Sequence, residues 1–154
     1  MLKEKISSLG EVHILLTDKD GNVKVDRVEK NMVVNGGLEF ITSRLLNGTS
    51  PVVSHMGVGT NNTATTGATN ALAAEVARAN ISSAGQVTTT VTNDSVQYVA
   101  TFIAGQGTGV LVEAGLFNAG SGGTMVARLL FGVVTKGADD ALTLTWKIKF
   151  ANAA

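Results

Sequence analysis

The feature that most constrains the fold is the run from Ala141 to Phe150. Leu142, Leu144, Trp146, Ile148 and Phe150 alternate there with Thr143, Thr145, Lys147 and Lys149. A period of two puts every large apolar group on one face of a strand, so one face packs and the other meets water. Two more strand-like runs precede it, Val110 to Asn118 and Met125 to Val134, set apart by glycine-rich turns. None of the three carries a recognisable catalytic set, which favours a packed β scaffold over an enzyme.

Upstream the same reasoning gives Val12 to Thr17 as a first strand. Asp18-Lys19-Asp20-Gly21 turns it into a second through Val23, Val25 and Val28, because the glycine of an Asp-Gly pair takes the positive φ of a hairpin turn. Asn35 is placed to cap a short helix with Leu38, Ile41 and Leu45 on one face and Gly48 past its end. Val53 to Val58 reads as a strand, Gly59 to Thr69 as a long polar loop, and Ala71 to Ala79 as a helical turn started by Asn70. Val87 to Thr92 and Val96 to Ala104 read as a hairpin around Asn93-Asp94, with Val96, Tyr98, Ala100 and Phe102 on one face. About eight antiparallel strands with so little helix imply a mainly β fold, an antiparallel β-sandwich or jelly-roll-like barrel with one or two short helices. No linker or internal repeat divides residues 1–154, which are expected to form a single β-rich domain.

A 154-residue chain can bury roughly 68–70% of its unfolded surface and needs no disulfide or metal staple. Cysteine is absent, which removes thiolate ligands and a cysteine nucleophile. Twelve basic and twelve acidic residues give a net charge of +0, so no overall field draws in nucleic acid or an anionic membrane. No apolar run approaches the ~20 residues of a membrane-spanning helix, and the start, Met1 to Ser8, lacks the apolar stretch of a secretory signal. The chain therefore reads as soluble, with neither nucleic acid nor membrane as partner.

The candidate chemistry is thin. Asp18, Asp20, Asn22 and Glu29 imitate oxygen positions of a calcium loop, but Val23 stands where the sharp turn requires glycine and the flanks read as strands. Gly57-Val58-Gly59-Thr60 lacks the lysine and helix of a phosphate loop. Ser54 and His55 suggest a nucleophile and base, yet neighbours on one strand point to opposite faces and would not bond. Glu113, inside an apolar strand, needs a partner, and Arg128 in the next strand is the natural one for an ion pair. No cofactor, metal or catalytic residue is assigned.

Charge is uneven. From Leu45 to Gly109 only Glu75, Arg78 and Asp94 are ionised at neutral pH, apart from His55. Neutral hydroxyls and amides lose less hydration than ions, so this stretch desolvates cheaply and suits a protein contact. Thr60, Asn61, Asn62, Thr63, Thr65 and Thr66 are its candidate interface residues.

Asn31-Met32-Val33-Val34-Asn35-Gly36-Gly37, His55 to Asn62, Ala71 to Arg78, Glu113 to Asn118, Met125 to Arg128, Lys136 and Leu144 to Ile148 together resemble small virion accessory proteins of tailed bacteriophages. The resemblance implies a β-rich capsid cement (decoration) protein, or else a tail-associated adaptor or tail-fibre module. The compact single domain, without a repetitive shaft or heptads, suits cement better. On that resemblance the partner is the major capsid protein and the place the capsid surface of the virion, assembled in the host cytoplasm. It also implies a homo-oligomer, a trimer before a dimer. A carbohydrate-binding β-sandwich is a lower alternative, because the only Trp and only Tyr fall on expected core faces.

Overall fold

The computed structural model describes residues 5–152. Among the described residues, eight strands, β1 (Ile6–Thr17), β2 (Val23–Val33), β3 (His55–Gly59), β4 (Glu75–Val87), β5 (Ser95–Phe102), β6 (Gly109–Phe117), β7 (Met125–Lys136) and β8 (Ala141–Asn152), and one helix, α1 (Asn35–Leu46), follow one another. They form a closed antiparallel barrel in the order β1-β2-β7-β6-β3-β4-β5-β8. The mainly β expectation holds, and the barrel rather than the sandwich is its form.

The C-terminal alternation does what its period dictates. Leu142, Leu144, Trp146 and Ile148 fill the interior with Val12, Ile14 and Leu16 of β1 and Ala100 and Phe102 of β5. Strand β8 holds the centre of this half, paired with β1 from Ile6–Asn152 to Thr17–Ala141 and with β5 from Ser95–Lys149 to Phe102–Leu142.

Two expectations are corrected. Ala71 to Ala79 is no helical turn: Glu75 opens β4, which pairs with β3 and β5, and the N–H groups of Ala73 and Ala74 go to the Glu113 carboxylate. Strand pairing on both sides outbids the local helix propensity of alanine. The stretch after Val87 is likewise not strand, since residues 88–94 fold around the Asp94 carboxylate.

The helix exists but is oriented differently. Val34 occupies its N-cap position without a side-chain cap bond, and Asn35 is already helical. The face that packs is Gly37 with half-buried Phe40, whereas Leu38 and Leu45 stand in solvent. Gly37 has to be glycine: a Cβ there would lie 2.0 Å from the Val126 carbonyl oxygen. Gly48, at φ +63, does end the helix as expected. One end of the barrel lies under α1, and the connections 103–108 and 137–140 close the other, tied by Gly105 N–H to Ala138 O and by the buried Lys136 Nζ to Ile103 O at 3.0 Å.

Candidate functional site

The outer wall of β3, β6 and β7 is where the structure departs furthest from a plain barrel. A register shift between Leu111 and Glu113 breaks the alternation of β6. Leu111 stays in the core cluster, but Ala114 and Leu116 now fill it, and Glu113 turns to the outside. There it meets Arg128 of β7, Nη2 to Oε2 at 2.8 Å and Nε to Oε2 at 3.1 Å, with the two side chains 1% and 0% exposed. The ion pair expected from Glu113 and Arg128 is therefore formed, but beneath a cover.

The cover is the polar loop, residues 60–74. Arg128 Nη1 donates to Thr63 O at 2.7 Å and to Thr65 Oγ1 at 2.8 Å, and Nη2 donates to Asn61 O at 3.4 Å. Glu113 accepts from the N–H groups of Ala74, Ala73 and Asn61. A buried carboxylate and guanidinium thus find protein partners on almost every side, the condition under which such burial is tolerated. At its far point the loop reaches α1, where Asn35 N–H donates to Gly67 O at 2.8 Å. It returns through Leu72, which packs with Val34, Phe117 and Met125 in a small apolar cluster separate from the main core.

Glycines form the floor beneath this strap. A Cβ on Gly59 would sit 2.4 Å from Glu113 Oε1, and one on Gly115 would sit 2.7 Å from the Phe117 ring. The Gly57-Val58-Gly59 run is thereby explained as a bed for the strap.

A second arginine fixes the neighbouring turn. Arg78 holds Glu75 through Nε and Nη2 at 2.8 and 2.6 Å, donates from Nη1 to Ala119 O and Gly122 O, and lies 3.7 Å over the Phe117 ring. Arg78 and Arg128 are thus both engaged by acceptors of the chain itself, which makes this surface rigid.

The candidate interface residues are all on the strap. Thr60, Asn62, Thr63 and Thr66 are exposed, and Asn61 and Thr65 are half-buried. Asn61 Oδ1 accepts from Thr63 N–H and Oγ1, and Thr65 Oγ1 belongs to Arg128, so these two shape the loop while Asn62 and Thr66 face outward. Sequence reasoning missed that Glu113 and Arg128 organise this surface. The signal was available in their burial requirement, but not the identity of the loop they would hold.

The other candidates resolve locally. Asp18 accepts from Asn22 N–H, Asn22 Nδ2 and Asp20 N–H, which holds its carboxyl below the usual range. Glu29 lies opposite Val12, far along β2 from that turn, beside Arg27. Ser54 and His55 do bond, Oγ to Nδ1 at 2.7 Å, against expectation. Ser54 precedes the strand that His55 begins, so pleat alternation does not separate them. His55 Nε2 lies against Gly120. His13 Nε2 pairs with Asp26 at 2.6 Å across β1 and β2.

An open apolar groove of about 500 Å³ runs between α1 and the strand ends, lined by Phe40, Ile41, Val52, Val96, Tyr98 and Phe150 among others. Of its polar members, Arg44 is engaged by Gly48 O and Ser50 O. No protein-family model, curated protein or solved structure matches the chain.

Proposed function

We propose that this chain is a non-enzymatic structural subunit of a tailed-phage virion, a capsid cement protein that binds across neighbouring major capsid subunits. The observation that carries the reading is the strap: a neutral surface of small residues, Asn62, Ala64, Thr66, Ala68 and Asn70 exposed, anchored by a fully buried ion pair. A surface already ordered loses little conformational entropy on docking, and one without charges loses little hydration. Such a subunit stabilises the assembled lattice by binding it and not its parts. The gain is RT ln(1 + [L]/Kd), about 2.7 kcal/mol per site at a hundredfold excess over Kd.

The test adds purified protein to undecorated heads and to isolated tails of the cognate phage and measures the amount bound after sedimentation. Saturable binding to heads, weakened by Asn62→Lys and Ala64→Lys, is the expected result. Unlike a deletion, these substitutions leave Thr63 and Thr65 in place for Arg128. Binding to tails instead favours the tail-adaptor reading, and binding to neither removes the virion role. A carbohydrate-binding role has less support, because Trp146 is fully buried and offers no platform for a sugar ring.

A further inference from the structure

The barrel has one seam. β2 and β7 share only the pairs Met32–Arg128 and Val33–Ala127, and every other neighbouring pair of strands is laddered over a longer span. A bulge in β7 lies beside this seam: Leu111 and Glu113 of β6 pair with Val134 and Leu130, so three residues of β7, Phe131 to Val133, stand opposite one of β6.

Side chains span the gap, Arg27 Nη2 donating to Gly132 O and Lys24 Nζ meeting Asp140 at 2.7 Å. Val34 N–H donates to Val126 O, so by alternation the backbone groups of Lys30, Val28 and Asp26 point into the seam. Val28, 58% exposed, and Val133, 59% exposed, flank it, and the buried Arg27 Nε lies 3.4 Å from Glu29 Oε1 of its own strand. An edge of this kind is a template for another strand.

The charge order along the edge identifies which strand. Asp26-Arg27-Val28-Glu29-Lys30 is antisymmetric about Val28. If a second β2 runs antiparallel to it about a two-fold axis at Val28, Asp26, which its own His13 already meets at 2.6 Å, falls opposite the copy's Lys30 and Arg27 opposite its Glu29, on both sides of the axis. Val28 falls opposite itself as a hydrogen-bonded pair, which is what backbone groups pointing into the seam require. We propose that the free edge of β2 pairs with β2 of a second copy of this chain, forming a two-fold dimer with one continuous sheet. Pairing moves Arg27 from Gly132 O and its own Glu29 to Glu29 of the second copy. This interface lies apart from the strap and does not depend on the cement reading.

Sedimentation equilibrium on the full chain should give a concentration-dependent dimer. Lys30→Asp, at an exposed position, should raise its dissociation constant by about tenfold or more, because like charges then face each other twice. The exchanged variant Asp26→Lys/Lys30→Asp should restore it to within about threefold of wild type, since both pairs are re-formed with signs reversed.

Val28→Cys supplies an independent reading in a chain without cysteine. Residues of a hydrogen-bonded pair have Cα atoms about 5.5 Å apart, within disulfide range, so oxidation should link this variant to itself. It should do so well ahead of Val110→Cys at a comparably exposed site. A monomer at every concentration overturns the proposal. So does a dimer insensitive to the charge changes, or equal cross-linking of the two cysteine variants.

Discussion

Trp146 is the largest fully buried side chain, placed by the ladders between Val12 of β1 and Tyr98 of β5. Trp146→Ala opens a cavity on the barrel axis and should cost about 3–5 kcal/mol in equilibrium denaturation; a loss below about 1 kcal/mol would contradict this packing. The indole Nε1 makes no hydrogen bond. Trp146→Phe therefore removes volume but no bond and should cost clearly less than the alanine change. Arg128→Met is different in kind. It leaves Glu113, 0% exposed, as a buried charge without its counter-ion, a defect of about 3–5 kcal/mol. Hydrogen exchange should then speed up first at Ala73 and Ala74, whose N–H groups the displaced carboxylate holds.

Among the elements, the turn between β4 and β5 shows how one carboxylate can organise seven residues. Burial works to raise the Asp94 pKa, and hydrogen bonds from Val91 N–H, the Thr89 hydroxyl and N–H, and Thr90 N–H outweigh it, holding the carboxyl well below its ordinary value. Asp140 is lowered by its bond to Lys24, and Asp18 by its bond to Asn22. A carboxyl whose folded pKa is depressed contributes stability that is fully present above the unfolded value and is lost as pH falls toward the folded one. The urea midpoint should therefore hold above about pH 5 and decline steadily below about pH 4, with a shallower decline in Asp94→Asn. In the β1–β2 turn the Asp18 oxygens are already taken by Asn22 and Asp20. Adding calcium or chelator should leave the melting temperature unchanged; a calcium-dependent rise would refute the metal-free reading of this turn.

For the whole molecule, the ladder between β1 and β8 is decisive. It joins the first strand to the last, from Ile6–Asn152 to Thr17–Ala141, so barrel closure pairs residues at nearly the greatest separation the chain allows. Closing such loops costs entropy before any contact repays it. Refolding followed by Trp146 fluorescence in a stopped-flow instrument should take milliseconds to seconds, as in other non-local β folds; a microsecond phase carrying the full amplitude would show that the core forms without this ladder.

What the sequence determined by itself is whatever depends on a local period or a single residue's needs. Alternation located β5 and β8 with their inward faces, apolar runs located β6 and β7, Asp18 to Gly21 and Gly48 marked true chain reversals, and an acid inside an apolar strand called for Arg128. Tertiary structure alone decided the rest, because which neighbour satisfies a backbone group is not a local property. Alanines at 71–79 favour helix until Glu113 takes two of their N–H groups and β3 and β5 take the strand that follows. Leu38 and Leu45 form a helical face by spacing, yet the barrel accepts Gly37, since only a residue without a Cβ lets α1 approach the Val126 carbonyl. The polar run after Gly59 reads as a free loop. The bulge in the β6–β7 ladder turns Glu113 outward, and with Arg128 that charge holds the loop against the barrel wall.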